Sequence, residues 1–144
     1  MSEKFVVGYD GSESARRALD FATERARAQQ ASILLVHVLE WSPYSFLSAE
    51  EIQERHRRRR EEMERAEAAV ITPVIEVLTR EGVSVTPFLR YGKTAEILCD
   101  IARDESALQI FIGREGHSAL EARIFGSVAV ALVQTAPVPC TIVP

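Results

Sequence analysis

Gly113-Arg114-Glu115-Gly116-His117-Ser118-Ala119-Leu120-Glu121-Ala122-Arg123-Ile124-Phe125-Gly126-Ser127 follows the apolar run at residues 108–112 and precedes a helical run that begins at Val128. A strand that stops at one glycine, a second glycine three residues on, and Gly-Ser at a helix start give a geometry that holds a phosphate. Glycines let the backbone adopt positive φ and approach a ligand closely. Successive free N–H groups form an anion-binding concavity, and a helix N-terminus adds unpaired donors and partial positive charge. Ser127 stands where its hydroxyl adds a further donor. A pair of glycines alone fits equally well a turn that merely ends a strand, so the reading depends on the whole spacing.

Outward from that stretch the chain alternates strand and helix. Lys4-Phe5-Val6-Val7-Gly8-Tyr9 is nearly continuously apolar, as a strand buried on both faces of a parallel sheet must be, and it ends at Asp10. Ser12 is a good N-cap, and Ala15, Ala18, Leu19, Ala22 and Ala26 recur at helical spacing through about residue 29. Residues 31–39 form a second buried strand, which makes the first unit βαβ with a right-handed crossover. Residues 83–89 are a third strand, which Pro87 marks as an edge strand because proline cannot serve a central ladder. Gly92-Lys93-Thr94 opens another helix, with Thr94 as its cap and Ile97, Leu98, Ile101 and Ala102 as its buried stripe. Residues 108–112 are the fourth strand. The helix from Ser127 to about Thr135 is apolar around much of its circumference, so it needs cover on more than one side. Residues 137–144 supply a short fifth strand with proline at both ends. This pattern predicts an α/β fold: a doubly wound five-stranded parallel sheet with helices on both faces.

The stretch between the second and third strands is charged. Arg55-His56-Arg57-Arg58-Arg59-Arg60 resembles a nucleic-acid patch until Glu61-Glu62-Met63-Glu64 is read after it. Helical spacing pairs Arg57 with Glu61, Arg58 with Glu62 and Arg60 with Glu64, so a solvated, ion-paired helix face is the better account. This helix begins near Ser48 or Ala49, and Pro73 is expected to kink or break it. The aromatics Trp41, Tyr44 and Phe46 in the preceding loop either fold over the sheet edge as satellite core, cap a ligand mouth or make a partner surface.

With 144 residues, 47% of them hydrophobic, the chain is the size of a single domain, 1–144, with one buried core. Nothing in it resembles a signal peptide or a membrane span, so a cytoplasmic protein is expected. A net charge of −4 gives no general attraction to nucleic acid or anionic membranes. Cys99 and Cys140 have no short-spacing partner and read as buried free thiols. His37, His56 and His117 are scattered with no nucleophile beside them, and no Gly-x-x-x-x-Gly-Lys-Ser/Thr loop is present, so no catalytic residue and no enzyme activity are assigned.

Asp10-Gly11-Ser12 after the first strand, His37-Val38 in the second, and Gly-x-x-Gly, nine residues, then Gly-Ser resemble the universal stress protein family across essentially the whole chain. The resemblance implies strand order 3-2-1-4-5 in an adenine-nucleotide alpha-hydrolase-like fold, with Asp10 and Gly113 facing one crevice at the switch point. It implies ATP as ligand, accompanied by Mg²⁺ on its phosphates, in a homodimer formed through the C-terminal strand. It places Asp10 at the nucleoside, Val38 at the adenine through its backbone, and Gly113, Gly116, Gly126, Ser127 and Val128 at the phosphate loop. Gly8, Tyr9 and Ile112 would line the same edge. From the residues alone, Asp10 fits equally a turn residue before Gly-Ser. Gly113→Val is expected to remove ATP affinity without unfolding the protein.

One feature departs from the family. Arg114-Glu115 places a carboxylate between the first two motif glycines, where the family mostly carries neutral or basic residues. Either Glu115 opposes phosphate, or it points outward, pairs with Arg114 or Arg123, or reaches Mg²⁺. The expected function is ATP binding as a structural or signalling ligand with slow or no turnover. A dimeric interaction module that has lost nucleotide binding is the alternative, and a slow ATPase is the third reading.

Overall fold

The computed structural model describes residues 3–40, 48–115 and 126–144. The apolar runs form β1 (Lys4–Gly8), β2 (Ser32–Glu40), β3 (Val85–Gly92), β4 (Gln109–Gly113) and β5 (Cys140–Val143). All pair in parallel in the order β3-β2-β1-β4-β5. The edge position of the proline-bearing strand is as expected. The strand starts two residues later than the apolar pattern predicts, because Val83 is buried ahead of the ladder.

Period-two alternation sorts the side chains to the two sheet faces. Phe5, Val7, Ile33, Leu35 and Phe111 pack under helices α1 (Glu13–Gln29) and α3 (Thr72–Arg80), with the Phe5 and Phe111 rings edge-on at 5.2 Å. Val6, Leu34, Val36, Ile110 and Ile112 pack under α4 (Thr94–Asp104) and α5 (Ser127–Thr135). Helix α1 begins as the sequence requires, with Ser12 Oγ accepting from Ala15 N–H at 3.2 Å. Helix α4 does not: Lys93 holds the cap position without a side-chain bond, and Thr94 Oγ1 reaches Glu40 Oε1 at 3.5 Å instead. Its buried residues are Leu98, Cys99, Ile101 and Ala102, with Ile97 partly buried.

Pro73 does not break its helix. Between α2 (Ala49–Ala66) and α3 the chain makes a π-helical turn, Glu67–Ile71, in which Thr72 N–H donates to Glu67 O. Proline lacks an N–H and crowds the preceding turn, and widening that turn removes the conflict while Ile71, Val74 and Leu78 stay buried. Helix α2 buries no residue. Its ion pairs at Arg57 and Arg58, 2.6 Å and 3.4 Å long, run back to Glu54, not forward to Glu61 and Glu62. Glutamate ahead of arginine is the better orientation for such pairs. Glu62 instead accepts from the Tyr91 hydroxyl at 2.7 Å, and burial followed by that bond pushes the Tyr91 phenol up to about 12.

Both cysteines are free thiols; Cys99 is buried and Cys140 partly so. Burial, then the neighbouring Cys99, pushes Cys140 up from its ordinary 9.0 to about 11. Below pH 9 the thiol is mainly neutral in both states, but its small thiolate fraction is roughly a hundredfold lower in the folded chain. Between 9 and 11 only the unfolded chain ionises, so this group lowers stability across that window. Alkylation of the folded protein at pH 8 is accordingly expected to be far slower at Cys140 than in urea, as intact-mass time courses would show; equal rates would contradict it.

Candidate functional site

In an open parallel sheet, ligands bind beyond the carboxyl ends of the strands where the strand order reverses. Here that point lies between β1 and β4, which pair from Phe5↔Gln109 to Val7↔Phe111. The end of each strand is held by its own contacts. Tyr9 N–H donates to Val36 O at 2.8 Å, keeping the chain after β1 against β2. Asp10 then turns back, its Oδ1 accepting from Ser12 N–H at 2.9 Å. The turn reading of Asp10 therefore holds. It does not exhaust the group, since a carboxylate offers about four acceptor sites. Gly11 follows at φ +83°, a conformation that favours glycine, with Val70 of the π-helical turn beside it.

On the β4 side, Arg114 N–H donates to Val143 O at 2.9 Å, and Gly126 N–H returns to Arg114 O at 3.3 Å. That second bond brings the start of α5 to the end of β4. Helix α5 has glycine at its cap, no side-chain cap bond and no acidic residue in its first turn. Helices α1 and α2 each have a serine cap plus acidic residues there, and α4 has Glu96. Thus, among the described residues, nothing caps the positive end of α5 and no acidic residue stands in its first turn, and it lies beside the end of β4. A phosphate is the group that such donors fit.

The sequence-derived residues divide by what their side chains do. Gly8, Tyr9, Asp10, Val38, Gly113, Gly126, Ser127 and Val128 lie at or beyond the carboxyl edge, on β1, β2, β4 and α5. Gly116 lies outside the described residues, as do His117, Arg123, Trp41, Tyr44 and Phe46. Tyr9 and Ile112 are 5% and 4% exposed and their side chains belong to the two cores, so only their backbones can line a site. Ser127 and Val128 also line a cleft of ≈ 460 Å³ between α4 and α5, with Glu40, Lys93, Glu96, Asp100 and Arg103, and its lining includes none of Gly8, Tyr9, Asp10 or Gly113.

Glu115 is turned by its backbone. Its N–H donates to Ser14 Oγ at 3.1 Å, and its carboxylate, 38% exposed, lies 3.9 Å from the Arg114 guanidinium. Among the described residues, Arg114 is the group this carboxylate pairs with, while Arg123 lies outside them. Gly113 has a further role that overturns an expectation. A Cβ there would lie 2.6 and 2.7 Å from Ser14 C and O and against its Oγ. Gly113→Val therefore cannot leave the fold untouched, and it is not a clean test of binding. Sequence reading also passed over two side chains. Ser14 starts the buried stripe continued by Ala18, Ala22 and Ala26, and a polar residue in an apolar stripe was the available signal. His37, read only as a strand histidine, is buried with Nδ1 2.8 Å from Tyr9 O.

Among the described residues no group of three or more His, Cys, Asp or Glu is placed to hold a metal ion, and no helix is long and apolar enough to cross a membrane. The chain is 34% identical over 145 residues to a universal stress protein of Thermus aquaticus, covering 99% of each chain. Its fold is similar to that of hypothetical protein MJ0577, a structural-genomics test case, with a TM-score of 0.82, 22% identity and 99% and 96% of the two chains covered. It is also similar to a universal stress protein of Archaeoglobus fulgidus solved with dAMP, at a TM-score of 0.66, 22% identity and 100% and 98% coverage. The model of the universal stress protein family matches residues 1–144, and with the five-stranded 3-2-1-4-5 sheet this chain belongs to that family.

Proposed function

We propose that this chain, as a single domain, binds ATP in the β1–β4 crevice as a structural or signalling ligand, with slow or no turnover, in a cytoplasmic homodimer. The observation that carries the reading is the N-terminus of α5, held at the end of β4 with no side-chain cap and no first-turn acidic residue among the described residues. Gly126, Ser127 and Val128 would offer their N–H groups to the phosphates, with Mg²⁺ accompanying them, Gly113 and Gly116 would let the loop approach, and Asp10 would accept from the sugar. The dAMP held by the Archaeoglobus fulgidus relative supports an adenine nucleotide as the class of ligand. Asp10, Glu115 and the nearby arginines are the groups that could orient water or neutralise charge on a transferred phosphate, and no catalytic role is assigned to them.

A second reading, the dimeric module without nucleotide, has an observation of its own. Val130 and Val133 on α5 are 45% and 73% exposed, beside β5 at the sheet edge. An open edge with apolar neighbours is a liability that a second copy would cover. Acid release of bound small molecules from the purified protein, before and after adding ATP and Mg²⁺, separates the readings. Near-stoichiometric ATP by mass spectrometry is expected. ADP alone would favour slow hydrolysis, and an empty protein that takes up no ATP would leave the interaction module.

A further inference from the structure

Among the described residues the buried polar side chains are Ser14, Thr23 and His37. A buried polar group is unfavourable unless its hydrogen bond is made, so each must be explained by its partner. Thr23 is satisfied locally, donating to Leu19 O at 2.7 Å on its own helix. The other two reach across the fold, and each holds the backbone of one loop that frames the crevice.

His37 Nδ1 lies 2.8 Å from Tyr9 O. A carbonyl oxygen only accepts, so Nδ1 carries the hydrogen and donates. Tyr9 N–H is fixed as well, to Val36 O, so both peptide units around Tyr9 are held and Asp10 leaves β1 in a set direction. Ser14 Oγ accepts from Glu115 N–H at 3.1 Å, 101 residues away, and fixes the first residues after β4. The same Arg114–Glu115 pair receives Gly126 N–H, so the bond at Ser14 also bears on the start of α5.

We propose that His37 and Ser14 are positioning residues that hold the chain leaving β1 at Tyr9–Asp10 and the chain leaving β4 at Arg114–Glu115 in binding geometry before any ligand arrives. The proposal rests on the reading of the crevice as a nucleotide site. Backbone held in advance does not have to lose its freedom on binding, and affinity rises accordingly.

The test is calorimetric titration of ATP into wild type, His37→Leu, His37→Asn, Ser14→Ala and Thr23→Val, with thermal unfolding of each. His37→Leu and Ser14→Ala are expected to weaken binding about tenfold each, the scale of one buried hydrogen bond lost. His37→Asn, whose Nδ2 can donate from the place of Nδ1, should restore it. Thr23→Val should lower the unfolding midpoint with affinity unchanged. If His37→Leu and Ser14→Ala behave like Thr23→Val, the positioning role is overturned. If wild type itself takes up no ATP, the nucleotide reading fails instead, and amide exchange decides the loop-holding claim. Faster exchange of the Ser12 amide in His37→Leu and of the Gly126 amide in Ser14→Ala would support it; unchanged exchange at both would overturn it.

Discussion

Gly113→Ala is expected to lower the unfolding midpoint by on the order of 10 °C, from a loss of about 3 kcal/mol. The reason is steric and lies in the backbone. The added methyl would stand 2.6 Å from Ser14 C and 2.7 Å from Ser14 O, distances that real Cβ atoms do not show. Neither atom can turn aside, because Ser14 sits in the first turn of α1 and that turn is anchored by the Ser12 cap. Relief must come from moving α1 off β4, which would open the contact with Phe111 and the rest of that core. Gly8→Ala is the internal comparison. Its Cβ would meet Ile112 Cγ2 at 3.2 Å and Leu98 Cδ1 at 3.3 Å, the ends of side chains that can shift, so about 1 kcal/mol or less is expected. Thermal or urea unfolding of both variants checks the account, and equal losses would show that the α1–β4 approach is looser than described.

That glycine illustrates what sequence could and could not reveal. Its place at the end of a strand was legible, as were the strand order that follows from the family resemblance, the Ser12 cap and the edge position of Pro87. Apart from the strand order, each is set by local periodicity or by a single residue's chemistry. The second role of Gly113 was not legible, because it depends on how closely α1 approaches β4, which involves residues about a hundred positions apart. The same limit explains Pro73. Its conflict with a helix was plain, but whether the chain breaks or widens depends on keeping Ile71, Val74 and Leu78 against the sheet. On α2 the expected pairing differs in direction, since Arg57 and Arg58 reach back to Glu54, and Glu62 has a partner on β3, Tyr91, that helical spacing cannot disclose. In the candidate site, the residue types stood out, and His37 did so as part of the family resemblance, but the contacts of His37 with Tyr9 O and of Ser14 with Glu115 N–H did not. Their partners are backbone groups, which leave no mark in a sequence.

Ser127→Asp is expected to weaken ATP binding by about a thousandfold while raising the unfolding midpoint slightly. The two effects share one cause. Ser127 is the first residue of α5, exposed, beside a glycine cap and without an acidic neighbour in the first turn. A carboxylate there interacts favourably with the unpaired N–H groups and contributes about 0.3–1 kcal/mol to folding. It also occupies the donors that a phosphate would use and places like charge beside it. Two unit charges about 4 Å apart near a protein surface repel by about 4 kcal/mol, which corresponds to roughly a thousandfold in affinity. Ser127→Ala, which removes one hydroxyl and adds no charge, should lose about tenfold at most. Added salt should narrow the gap between the two variants, since exposed charges are screened over about 10 Å at 0.1 M. Titration calorimetry at two salt concentrations, beside thermal unfolding, gives both readouts. Wild-type affinity in Ser127→Asp would place the phosphates away from α5 and sink the proposed site. A drop in affinity together with a rise in midpoint cannot come from a damaged fold, because damage would lower both.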